Sequence, residues 1–167
     1  MLSLSASIAL AALTLAPTPT PSQDARESFR DSLLGVYAME RGQRGDERVS
    51  DEELQGTVRI TPDRISLHRA DGGEIYAARY QIDEVSDGSG RLSLETVKVK
   101  SETDDELQTE SDDTVGTKGK ALVSLDETPG FLTLIYDAQG EDYPDDFKPD
   151  HEKEHLFVLK KQDAVDQ

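Results

Sequence analysis

The chain has no cysteine and no tryptophan, only four Phe and five Tyr, and little positive charge for its acidity. Without cysteine there is no disulfide staple, no thiolate nucleophile and no Cys-based zinc site. Eighteen Lys and Arg against 35 Asp and Glu give a formal net charge of −17. A surface that negative repels phosphate backbones and anionic lipid, so neither nucleic acid nor a membrane surface is expected as a partner. Basic ligands, cationic proteins and divalent metals stay open, as does acidity that serves solubility alone. The 167 residues suffice for one domain with one core. Apolar residues make up 35% of the chain and fall in short runs, as a strand protein requires.

The longest apolar run is at the start. Residues 1–16, MLSLSASIALAALTLA, carry no charge. They suit the central region of a secretory signal and are short for a membrane span. Residues 17–23 follow as a Pro/Thr linker, and residues 24–167 as a single domain. Two features depart from a standard signal: no Lys or Arg precedes the apolar run, and Pro17 follows the cleavage-like Thr14-Leu15-Ala16. The expectation is an exported protein (periplasmic, envelope-associated or secreted), monomeric, with no stable membrane span after processing.

Asp24 with Glu27 three residues on suggests a capped helix start, with Ala25, Phe29 and Leu33 on one face and Gly35 ending it. The period then changes to two. Strands are expected at 34–39, 57–61, 65–69, 74–82, 92–99, 120–125, 131–136 and 155–161, separated by turn-rich segments such as Gly42 to Asp46 and Asp71-Gly72-Gly73. In the fourth, Tyr76, Ala78, Tyr80 and Ile82 share one face. The inward phase slips between Leu94 and Val97, which predicts a β-bulge there. About eight short strands with one N-terminal helix argue for an antiparallel barrel or sandwich.

Certain stretches go further. Leu34-Gly35-Val36-Tyr37, Glu52-Glu53-Leu54-Gln55-Gly56, Val58 to Arg64, Gly130 to Tyr136, and Pro144, Phe147 and Leu156 to Lys161 resemble a bacterial family best known from planctomycetes. Its members are small lipocalin-like domains of unknown function, often exported. The resemblance spans about Leu33 to Lys161 and implies an all-β, antiparallel lipocalin-like barrel of about eight strands with one short N-terminal helix. Tyr37 stands where that family usually carries Trp, and an aromatic there would plug one barrel end against the helix. The family has no assigned catalytic residues to carry over.

His151-Glu152-Lys153-Glu154-His155 fits both H-E-x-x-H and its inverse. A zincin needs that motif on a buried helix, where two imidazoles one turn apart share the ion. Here a charged run broken by Pro144 and Pro149 precedes it and a strand follows, so a solvated loop is the expectation. His151 and His155 are thus weak metal candidates. The run 101–113, SETDDELQTESDD, holds seven acids but lacks the calcium-loop ladder. Gly116-Thr117-Lys118-Gly119-Lys120 misses the phosphate-loop spacing and reads as a turn into a strand. His68 is expected to face solvent. Tyr76 and Tyr80 are the candidate ligand-binding residues, as walls of a barrel cavity, with core packing as the alternative.

The expected function is a non-enzymatic module binding a small apolar molecule or a cationic partner, with no cofactor. A structural or envelope-associated protein with a filled barrel is the first alternative. A metal-dependent hydrolase built on the histidine motif is the second.

Overall fold

Ser22, rather than Asp24, starts the first helix: its Oγ accepts from the Ala25 N–H at 3.3 Å. The computed structural model describes residues 22–97, 99, 115–137 and 139–163. The signal-like segment 1–16, the linker up to residue 21 and the acidic run 101–113 lie outside the described residues. Helix α1 covers Gln23–Leu33 and buries Phe29 and Leu33, one turn apart, leaving Ala25 partly exposed.

Among the described residues nine strands follow: β1 Gly35–Arg44, β2 Glu47–Arg48, β3 Thr57–Ile60, β4 Arg64–His68, β5 Glu74–Ser86, β6 Ser89–Thr96, β7 Lys118–Leu125, β8 Phe131–Asp137 and β9 Glu154–Lys161. A 3-10 turn, Glu53–Gln55, precedes β3. All strand pairs are antiparallel, and β1 pairs with both β3 and β9. The sheet therefore closes on itself as an up-and-down barrel of eight strands, with β2 a two-residue flap on β1. Of the barrel and the sandwich that alternation allowed, the all-β barrel with one N-terminal helix is the fold. Closure removes the exposed sheet edges that an open sheet would leave.

The shared face of β5 points inward, with Ala78, Tyr80 and Ile82 buried beside Leu92 and Leu94 of β6 and Leu132 and Leu134 of β8. Burying each such Leu or Ile side chain contributes about 1.5–3 kcal/mol. Among the described residues three bulges adjust the phase. They fall at Glu40 in β1, Ile75 in β5 and Asp83 in β5, each an extra residue against its partner strand. The bulge expected between Leu94 and Val97 is not one of them. Leu92, Leu94 and Thr96 hold one phase, the strand stops at Thr96, and the Val97 N–H donates to the Ala77 carbonyl at 2.9 Å. β1 also runs on through Gly42-Gln43-Arg44, expected as turn, because those residues pair with Phe157, Leu156 and His155 of β9.

α1 closes one end of the barrel. The Phe29 ring lies directly on Gly90, where a Cβ would overlap it. Tyr37 fills the position foreseen for an aromatic plug: its buried hydroxyl donates to the Leu33 carbonyl at 2.8 Å. Outside the barrel, residues 141–150 run across the wall, with Pro144 and Pro149 buried. The Tyr143 hydroxyl there donates to Asp83 Oδ2 at 2.6 Å.

Candidate binding site

At the end opposite α1 no α-helix covers the barrel among the described residues, and the β1–β3, β4–β5 and β8–β9 connections lie around the opening. The bulge at Glu40 shapes this mouth. It shifts β1 by one residue, so Gly42 and Arg44 face inward opposite Phe157 and His155. Gly42 has no side chain to spare room for: a Cβ would come within 2.7 Å of Val49 and 2.9 Å of Phe157. Val49 is thereby drawn over the rim, its N–H donating to the Gly42 carbonyl at 3.0 Å.

Below the mouth lies an apolar cavity of about 40 Å³, walled by Met39, Ile65, Leu67, Tyr76, Leu134 and Phe157 among others. Ligand pockets run to about 300–1,000 Å³, so this space is far below ligand size. Above it opens a vestibule of about 510 Å³ that shares Met39, Leu67 and Phe157 with the cavity. The vestibule thus has an apolar floor and a polar rim that includes Arg44, Glu52, Glu53, His68, Arg69 and Asp71.

Arg44 is fixed by Glu53 at 2.9 Å. Glu53 is itself set by a reciprocal cap, accepting from Ser50 Oγ at 2.9 Å while its N–H donates to that Oγ at 3.3 Å. The Ser50 hydrogen bond, then Arg44, holds the Glu53 carboxyl below its ordinary value. Beside Arg44 runs a ladder of near-parallel rings. Tyr136 stacks on His155 at 5.0 Å, on Tyr76 at 6.2 Å and on Phe157 at 6.3 Å. Burial, with the Arg44 charge second, pushes the His155 imidazole below its ordinary range, and burial pushes the Tyr136 phenol up.

The two tyrosines expected to share one cavity are separated along β5. Tyr76 lines the cavity, whereas Tyr80 lies toward the helix end, its hydroxyl donating to the Thr61 carbonyl at 2.9 Å. His151 and His155 part as well. His155 enters the ring ladder, while His151 stays outside, 3.7 Å from Asp137 and 3.6 Å from Glu154. The motif residues form a turn and the start of β9, not a helix. Among the described residues no group of three or more His, Asp or Glu is arranged to hold a metal. His68, expected to face solvent, is half-buried: its ring contacts Ser66 Oγ at 2.9 Å and the Gly72 carbonyl at 3.2 Å. Gly116 turns into β7, as expected of that segment. Arg44, Glu53, Met39, Leu67 and Phe157 were not legible as site residues. Only Ser50-x-x-Glu53, a capping-box spacing, offered a signal.

Charge is distributed unevenly along the barrel axis. The mouth connections 44–56, 68–74, 137–140 and 151–154 carry 10 acidic and 4 basic side chains. The remaining described residues, the wall segment 141–150 among them, carry 17 and 12. At the same end Glu95 and Lys118 stand opposite each other and cancel.

No family model matches the chain, and no curated protein or solved structure matches it significantly. Among the described residues no helix is long and apolar enough to cross a membrane.

Proposed function

We propose that this chain is an exported, non-enzymatic binding module of lipocalin-like type that takes its ligand at the barrel mouth, not deep inside. The observation that carries this reading is the vestibule of about 510 Å³ on a floor of Met39, Leu67 and Phe157. Its volume falls in the range of small-molecule sites, and its apolar floor beneath a few polar groups is the usual composition of such sites. The uncharged 1–16 segment and the Pro/Thr linker support export. The quoted likeness to exported planctomycete lipocalin-like domains supports both parts.

A neutral solvatochromic dye such as Nile red tests it. Its emission shifts to the blue on addition of the protein and loses that shift in Ala70→Trp, which places a large ring on the exposed vestibule wall. Mass spectrometry of molecules that co-purify with the native protein then identifies the natural occupant. An unshifted dye together with an empty native protein overturns the proposal.

The small interior cavity favours a second reading, a structural envelope-associated protein with a filled barrel. That reading is upheld if the dye stays unshifted and a protein partner co-purifies instead.

A further inference from the structure

We infer that the mouth selects a small amphiphilic amine, its alkyl or aryl body on the vestibule floor and its ammonium group at the rim. This rests on the mouth-binding reading above and adds the sign of the ligand's charge. Three observations carry it. The mouth connections 44–56, 68–74, 137–140 and 151–154 carry 10 acids against 4 bases, about half the net charge of the described residues on a small part of their length. Within the vestibule wall Glu52, Glu53 and Asp71 outnumber Arg44 and Arg69, and Arg44 is already held by Glu53 at 2.9 Å. Ile75, pushed out by its bulge, is 43% exposed on the same wall and extends the apolar floor up to the acidic rim. A ligand that covers Ile75 therefore meets carboxylates next.

An excess of one sign of charge around a cleft raises the local concentration of the opposite ion. A carboxylate of the same apolar body would be repelled by that field. An alcohol would feel only the floor.

Octylammonium, octanol and octanoate, each below its aggregation limit, are titrated into isotope-labelled full-length protein and followed by backbone amide shifts. The expected result is shifts at the vestibule residues, with octylammonium binding about tenfold more tightly than octanoate and octanol between them. The gap closes as ionic strength rises from about 0.01 M to about 1 M, over which the screening length falls from ~30 to ~3 Å. The double variant Glu52→Gln/Asp71→Asn changes two exposed side chains, keeps the fold and reduces the gap about threefold. Equal binding of all three probes overturns the amine preference and leaves mouth binding standing. Absence of shifts with any of them overturns both. A lysine-rich peptide without apolar residues that binds as tightly as octylammonium overturns the small-amphiphile assignment.

Discussion

Tyr136 and His155 face each other across β8 and β9 and stack with ring centroids 5.0 Å apart. That contact takes the second histidine of a protease-like motif into the barrel, whereas His151 remains outside against Asp137 and Glu154. The turn before β9 is the cause: His151 lies in it, ahead of the strand that begins at Glu154, and the Glu154 N–H donates to the His151 carbonyl at 3.0 Å.

The same contact sets a pH dependence. Burial, with Arg44 second, lowers the folded-state affinity of His155 for a proton below its ordinary value of 6.5. The unfolded chain therefore binds more protons as pH falls through 6.5, and this part of the stability, complete above that pH, is lost on acidification. His155→Phe keeps the stack, removes the acid-side loss and removes Nδ1, which is buried without a hydrogen-bond partner among the described residues. The variant is expected to gain about 1 kcal/mol at neutral pH. Urea unfolding of both proteins at neutral and mildly acid pH decides it: equal acid losses would discard the assignment.

Phe29 and Gly90 form a matched pair at the helix end, ring upon bare backbone. Gly90→Ala forces the ring away and is expected to cost about 1–3 kcal/mol. Phe29→Ala empties the site and costs about 3–5 kcal/mol. Once the ring is gone the new methyl group has space, so the double variant should cost less than the sum of the two. A double-mutant cycle in urea checks this, and strict additivity would mean that the two residues do not share the contact.

The strands were readable because their main signal has period two and is repeated, although it allowed a sandwich as well as a barrel. Tyr76, Ala78, Tyr80 and Ile82 mark one face without help from any partner. The bulges were not readable: Glu40, Ile75 and Asp83 each add one residue to a strand, and no residue type among them announces it. The bulge at Glu40 is what turns Arg44 inward, so a residue expected in a turn became part of the mouth. The mouth itself joins segments as far apart as residues 44 and 157, and only ring closure between β1 and β9 brings them together. No local spacing encodes such a site, whereas H-E-x-x-H is local and reads the same on a helix or in a loop.

Four of the five tyrosines have phenols raised above their ordinary value of 10.0, chiefly by burial: Tyr37, Tyr76, Tyr80 and Tyr136. Tyr37 is pushed up to about 12. For a raised tyrosine the folded state holds its proton longer than the unfolded chain. Its contribution is complete below pH 10 and is lost as pH rises toward 12. The protein should therefore unfold cooperatively in alkali, with tyrosinate absorbance and loss of strand circular dichroism moving together. Tyr37→Phe should soften that alkaline loss while costing about 1–2 kcal/mol at neutral pH, because the Leu33 carbonyl loses its donor. Tyrosinate appearing near pH 10 in a still-folded protein would contradict the burial account.

Outside the barrel, Asp83 Oδ2 accepts from Ser93 Oγ at 2.5 Å and from the Tyr143 hydroxyl at 2.6 Å. Lys120 Nζ donates to Ser93 Oγ at 2.9 Å and lies 4.5 Å above the centre of the Tyr143 ring. This network ties the 141–150 segment to β5, β6 and β7. Tyr143→Phe keeps the ring and its cation–π contact and loses one hydrogen bond to a carboxylate, so it should cost about 1.5 kcal/mol. Asp83→Ala loses both acceptor contacts and should cost about twice as much. In both variants the amides of 143–148 should exchange faster than in the parent, while those of the ladder between β8 and β9 keep their protection. Unchanged exchange at 143–148 would mean that the buried Pro144 and Pro149, rather than the polar network, hold the segment against the wall.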